Sequence, residues 1–188
     1  MAADTPQKPR KSKLQFIHAA LDILATTGSV KALTIDRLCR QLGISKGSFY
    51  WHFKGRAELI EAVVDFWADE FQQSIHQNIR QASDNEPSRT FEELVSFWLS
   101  SNFAQLDQVM RNWARQEAAV AKAVQQADLL LMDFVSQQIV AMGHQQTEAQ
   151  YRARLLIAVG IAEPQISHLP HPGSLHETVN WVAKKVLS

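Results

Sequence analysis

Apolar residues recur every three or four positions along most of this chain, the spacing that gathers them on one face of an α-helix. Ser12 and Gln15 form a capping-box pattern. Behind it Leu14, Ile17, Leu21 and Leu24 make a stripe, widened by Phe16, Ala20 and Ile23, and Gly28 stops the helix. Thr34 is placed to cap a second helix, with Asp36 in its first turn and Ile35, Leu38 and Leu42 facing inward. Gly43 ends it, and Ser45 opens a third, short helix that reaches Tyr50 or His52. A fourth begins near Gly55 and runs to about Gln81. Leu59, Val63, Phe66 and Glu70 lie on one line of it, with Ile60, Val64, Trp67 and Phe71 beside them. Residues 82–89, containing Ser83-Asp84-Asn85-Glu86-Pro87, read as a loop and linker.

The helical pattern resumes at Thr90 with Phe91, Leu94, Val95, Trp98 and Leu99. A turn is expected near Asp107, then a helix carrying Met110 and Trp113, then one over roughly 125–142 ended by Gly143. Residues 147–162 are apolar on one side through Ala149, Leu155, Leu156 and Val159. Pro164, Pro170 and Pro172 interrupt the pattern before a final helix over about 174–187, with Leu175, Val179, Val182 and Val186 in line. No convincing strand pattern emerges, so the expected fold class is all-α.

Composition narrows the function. With 46% hydrophobic residues in 188, the chain can bury a core, and only the Pro- and Lys-rich residues 1–11 read as disordered. A single cysteine, Cys39, excludes an internal disulfide framework and a multi-cysteine zinc site. His144, His168, His171 and His176 are too scattered for a metal site. There is no run of about 18 apolar residues and no signal-peptide pattern, so a cytoplasmic location and no membrane contact are expected. No Gly-rich phosphate loop, nucleophile motif or useful carboxylate pair is present. Neither an enzyme nor a cofactor is expected.

The zero net charge conceals a segregation. Residues 1–56 hold ten basic side chains against Asp4, Asp22 and Asp36, a net of +7, which the rest of the chain balances. A basic first third fits contact with a polyanion. Within it, two short helices joined at Gly43 read as a helix-turn-helix. The small residues Ser45, Gly47 and Ser48 let the second helix approach base edges closely. Lys46 can donate to guanine acceptors, and Ser48 can bond to either partner of a base pair. Phe49 and Phe53 would anchor the helix from behind. Tyr50, Trp51 and His52 would flank the groove, within reach of phosphate oxygens.

The run Thr34-Ile35-Asp36-Arg37-Leu38-Cys39-Arg40-Gln41-Leu42-Gly43-Ile44-Ser45-Lys46-Gly47-Ser48-Phe49-Tyr50-Trp51-His52-Phe53 resembles the DNA-binding signature of TetR-type transcriptional regulators. The resemblance extends over residues 13–65, through Arg56-Ala57-Glu58-Leu59. It departs at Arg56, where the family usually has lysine. It implies that Ser45–Tyr50 is the recognition helix and that Thr34, Tyr50, His52 and Arg56 bond phosphates. It also implies a basic arm of Lys8, Arg10, Lys11 and Lys13, a homodimer on a palindromic operator of double-stranded DNA, and a small-molecule effector. The expected organisation is a DNA-binding domain at 1–56 and a helical ligand-binding and dimerisation domain at 57–188. Trp98, Phe103, Trp113 and Phe134, on the middle helices that build such pockets in the family, are candidates to line a cavity for an apolar effector, whose binding would lower operator affinity. Leu155, Leu156, Val159, Val179, Val182 and Val186 are candidate dimer contacts, since two apolar terminal stripes exceed what one small domain needs. The alternative is a DNA-binding or interaction module without an effector.

Overall fold

Helix α1 (Lys13–Thr27) starts at the expected capping box: Ser12 Oγ accepts from the Gln15 amide, and the Gln15 side chain accepts from the Ser12 amide at 2.8 Å. It ends at Gly28, whose φ of 65° suits a residue without a Cβ. This computed structural model describes residues 12–100, 103–166, 168–170 and 173–187. The expected disorder of residues 1–11, the arm residues Lys8, Arg10 and Lys11, and His171 lie outside the described residues. A 3₁₀ turn at Val30–Ala32 leads to α2 (Ile35–Leu42), α3 (Lys46–Tyr50) and α4 (Arg56–Phe66).

A π-turn (Trp67–Phe71) joins α4 to α5 (Gln72–Ala82), so the long fourth helix expected from sequence is interrupted in phase without being broken. Each π-turn adds a residue to the helical repeat. The buried line therefore slips from the expected Phe71 to Gln72, and continues through Ile75, His76 and Ile79. The loop is also shorter than expected, because α6 (Pro87–Ser100) begins at Pro87 rather than Thr90. Proline suits the first helical position. The Glu86 carboxylate accepts from the Ser88 and Arg89 amides at 3.1 and 2.7 Å and supplies the cap. Its pKa is lowered, chiefly by the Arg89 amide.

Helix α7 (Phe103–Ala114) runs through Asp107, where a turn was expected. Asp107 is instead a buried residue ion-paired to Arg111 one turn on. Helix α8 (Ala118–Ala141) starts a full two turns before the expected position, and its Val120, Ala123, Val124 and Ala127 are buried. Helix α9 (Gln146–Ala162) runs into a short 3₁₀ turn at Glu163–Gln165, and α10 (Leu175–Leu187) follows after residues 166–174. Among the described residues there is no strand, and no helix is long and apolar enough to cross a membrane.

Two cores organise these helices. The first gathers Phe16, Leu24, Leu38, Phe49, Phe53, Leu59 and Trp67 around the N-terminal helices, and extends to Leu106, Val109 and Met110 of α7 and to the start of α8. The second holds Ile75, Ile79, Phe91, Val95, Phe134, Val135 and Ile139 with Ala149, Ala153 and Ala183 from α9 and α10. The core of the N-terminal head thus does not stop at residue 56: α7 belongs to it. Leu14 alone of the first sequence stripe stays exposed.

His76 sits in the second core, its ring stacked on Phe134 at a centroid distance of 4.2 Å. Burial, and next the charge of Arg80, lowers its pKa from 6.5 to about 4. Below pH 6.5 the unfolded chain therefore binds a proton that the folded chain refuses. Stability should fall as pH drops from about 6.5 to about 4 and then level, by up to ~3 kcal/mol from this group. Urea unfolding at pH 7 and pH 4 checks this. The His76→Phe variant, which keeps the stacked ring, should lose less stability across the interval than the parent by that amount.

Candidate nucleic-acid interface

The local sequence builds α2 and α3 as a rigid pair. Thr34 Oγ1 accepts from the Arg37 amide at 3.2 Å and caps α2. Ser45 Oγ accepts from the Ser48 amide at 3.3 Å and caps α3. Between them Gly43 takes φ 65°, and the Ile44 amide donates back to the Cys39 carbonyl at 3.0 Å. Only a left-handed residue makes so sharp a reversal without strain, which is the reason for glycine there.

Behind α3, Phe49 and Phe53 are fully buried and stack on each other at 5.5 Å, while Phe16 of α1 meets both rings edge-on at about 6 Å. This aromatic wedge fixes the angle of the short helix, whose five residues hold too few backbone hydrogen bonds to be stable alone. Its other face is left outside. Ser45, Lys46, Gly47, Ser48 and Tyr50 are all exposed, and Trp51 is 73% exposed. Thr34 at the start of α2 is exposed as well. Thr34, Ser45, Lys46, Gly47, Ser48, Tyr50 and Trp51 thus all face solvent, and the contact of Lys46 with Asp36 ties the start of α3 to the first turn of α2.

His52 and Arg56 also serve the packing of the head. His52 is half-buried, with its ring against Phe16 at 5.2 Å, so its imidazole also serves the wedge. The guanidinium of Arg56 donates from Nε to the Leu33 carbonyl at 2.7 Å and from Nη2 to the Val30 carbonyl at 2.9 Å. Arg56 thus staples the 3₁₀ turn before α2 to the start of α4. Lysine, a single point charge, lacks the fork that reaches both carbonyls, which accounts for arginine at this position. With five N–H donors, the side chain retains others for a phosphate.

Lys46 is drawn to the Asp36 carboxylate at 2.5 Å, a contact sequence reading missed although the two residues stand on facing helices. Its pKa is raised, first by the hydrogen bond with Asp36. Lys13 of the basic arm lies 5.2 Å over the Phe53 ring and 4.0 Å from Glu58. Cys39 is buried, and burial pushes its thiol up, with the neighbouring Asp36 adding to the effect. A thiol held protonated is a poor nucleophile. Among the described residues, no three His, Cys, Asp or Glu side chains converge as metal ligands.

The second site named from sequence is only partly assembled. An apolar cavity of about 160 Å³ opens between α6, α8, α9 and α10. Of the four expected lining residues, only Trp98 is on its wall. Phe103 meets Trp98 edge-on at 5.2 Å from behind, Trp113 packs against the first core, and Phe134 is buried beneath His76. Leu156, Val159, Val179 and Val182, expected at a dimer interface, are half-buried and line the cavity. Val186 is half-buried. Leu155 does face outward, 57% exposed, accompanied by Tyr151 at 69% and Trp181 at 62%.

Residues 16–63 match the model of the family described as bacterial regulatory proteins, tetR family. Over 64 residues, 34% of this chain, the sequence is 34% identical to the uncharacterized HTH-type transcriptional regulator TtgW of Pseudomonas putida, and the match spans 47% of that protein. It is also 34% identical over 64 residues to the HTH-type transcriptional regulator SrpR of Pseudomonas putida, spanning 30% of it. The chain thus covers less than half the length of these curated relatives. The fold as a whole resembles that of a transcriptional regulator from Rhodococcus sp. Rha1, with a TM-score of 0.68 at 17% identity over 94% of this chain and 96% of that one.

Proposed function

We infer that this chain, a TetR-type regulator by its N-terminal domain, binds a palindromic operator in double-stranded DNA as a homodimer, and that an apolar small molecule releases it. The observation that carries the DNA reading is the exposed face of α3, polar and rigidly backed by the Phe16–Phe49–Phe53 wedge. Lys46 and Ser48 take the base edges; Thr34, Tyr50, Trp51 and Arg56 take phosphates, with His52 at the margin. Asp36 competes with DNA for Lys46, so the lysine must exchange one acidic partner for another. Such a regulator works in the cytoplasm and needs no catalytic group or cofactor.

The apolar cavity favours an effector over a module without one. Ala104 of α7 stands on its wall, while Leu106, Val109 and Met110 of the same helix sit in the core of the head. The side chain of Gln105 lies against the end of α1 at Gly28. A ligand that moves α7 would therefore move the head. Half-sites must fall one helical turn apart, about 34–36 Å, so a small tilt is costly. The ligand must bind the released state better than the DNA-bound one.

Selection from a random DNA pool should return a palindrome with two half-sites. On that sequence Lys46→Ala and Ser48→Ala should shift base preference by about 1–3 kcal/mol at one position per half-site, whereas Tyr50→Ala should weaken all sequences alike. Parent-like binding by both the Lys46 and Tyr50 variants would refute the assignment.

A further inference from the structure

The reading of an effector site leaves its chemistry open, and the cavity wall narrows it. Apart from one group, the wall is hydrocarbon and aromatic: Phe91, Leu94, Trp98, Leu131 and Val159 are representative. The exception is Glu163, on the 3₁₀ turn after α9, which is 7% exposed and the only ionisable side chain among the described residues of the wall. One turn before it Gly160 leaves a gap, since a Cβ there would meet nothing within 4 Å.

Size sets a first limit. An apolar cavity of about 150 Å³ stays dry and takes up benzene. The present one, about 160 Å³ and open on one side, encloses one ring or a short branched chain, and anything larger would protrude from its mouth. Charge sets a second. An ionised carboxylate repels another carboxylate and favours a group that donates to it. A carboxylate offers about four acceptor positions, so Glu163 has room for a ligand donor beside its protein contacts.

We propose that the cavity between α6, α8, α9 and α10 binds a single-ring or similarly small apolar molecule carrying one N–H or O–H donor, an amine, alcohol or phenol, with Glu163 as its acceptor. The proposal rests on the effector reading for its biological role, while the binding itself is measured without DNA.

The test uses the full chain with toluene, benzyl alcohol, benzylamine, benzoate and naphthalene as probes, by thermal unfolding and calorimetry. Benzylamine and benzyl alcohol at ten times their Kd should raise Tm by about 3–5 °C. Toluene should bind more weakly, and benzoate and naphthalene at least tenfold more weakly than benzylamine. Glu163→Gln should cost benzylamine about tenfold and leave toluene unchanged. Gly160→Leu should fill the gap and abolish every shift. Equal binding of benzoate and benzylamine, no shift from any one-ring probe up to its solubility, or shifts that survive Gly160→Leu would each overturn the proposal. Operator titration separates the two readings. A one-ring donor that binds but leaves DNA affinity unchanged removes the effector role and spares the site. Release by larger compounds, with one-ring probes inert, does the reverse.

Discussion

Replacing Arg111 by methionine is expected to cost about 3–5 kcal/mol of stability, the loss typical when one partner of a buried ion pair is removed. Arg111 donates from Nε to Asp107 at 2.6 Å and from both terminal nitrogens to Asp128 at 3.0 and 2.6 Å. Its side chain is 19% exposed and that of Asp107 only 7%. Burial raises the Asp107 pKa, and Arg111 opposes the rise. For Arg111, burial works against the charge, but the hydrogen bonds and charges of Asp128 and Asp107 outweigh it and raise the pKa. Without the guanidinium, two carboxylates are left facing each other, one of them out of water. Urea unfolding followed by circular dichroism reads the loss. The double variant Arg111→Met/Asp107→Leu should recover most of it, because no buried charge is then uncompensated. A loss below about 1 kcal/mol in the single variant would mean that water reaches and screens Asp107.

That triad marks where sequence reading stopped. Caps and glycines made α1, α2 and α3 legible to within a residue: Ser12, Thr34 and Ser45 each cap the helix they precede, and Gly28 and Gly43 each terminate one. These signals are local, complete within three or four residues of chain. Asp107 read as a turn residue because its ion pair needs Arg111 and Asp128, and nothing in the immediate neighbourhood advertises a partner as remote in sequence as Asp128. The π-turn hid for a related reason. Trp67 and Phe71 keep a flawless four-residue step, yet packing against α8 shifts the buried line to Gln72. The exposed face of α3 was readable because burial of Phe49 and Phe53 forces Lys46, Ser48 and Tyr50 outward at helical spacing. The cavity was not, since an empty volume is a property of four helices at once. Phe134 and Trp113 turned out to pack against the cores, while the cavity wall joins Phe91 and Trp98 of α6 to smaller side chains of α8, α9 and α10.

Charging the outer apolar face of the last two helices is expected to cost about 10²–10⁴-fold in operator affinity, the avidity lost when two linked sites become one. On α9, Tyr151 and Leu155 are followed by the exposed Ala158 and Ala162, a run at alternating steps of four and three that suits close helix packing. On α10, packed beside α9, Trp181 is likewise outside. Large apolar side chains so exposed on adjoining helices favour burial against a second copy, and identical faces meet about a two-fold axis. Leu155→Glu/Trp181→Glu should therefore give a folded monomer at micromolar concentration, with helical content near that of the parent. Light scattering and sedimentation read the mass; DNA titration reads the affinity. Val159→Glu/Val182→Glu is the contrasting pair. Both residues line the cavity and are half-buried, so charges there would lose much of their water without gaining partners and should lower Tm. A Leu155→Glu/Trp181→Glu protein that stays dimeric, or one that becomes monomeric yet binds the full palindrome with parent affinity, would refute this assignment of the interface.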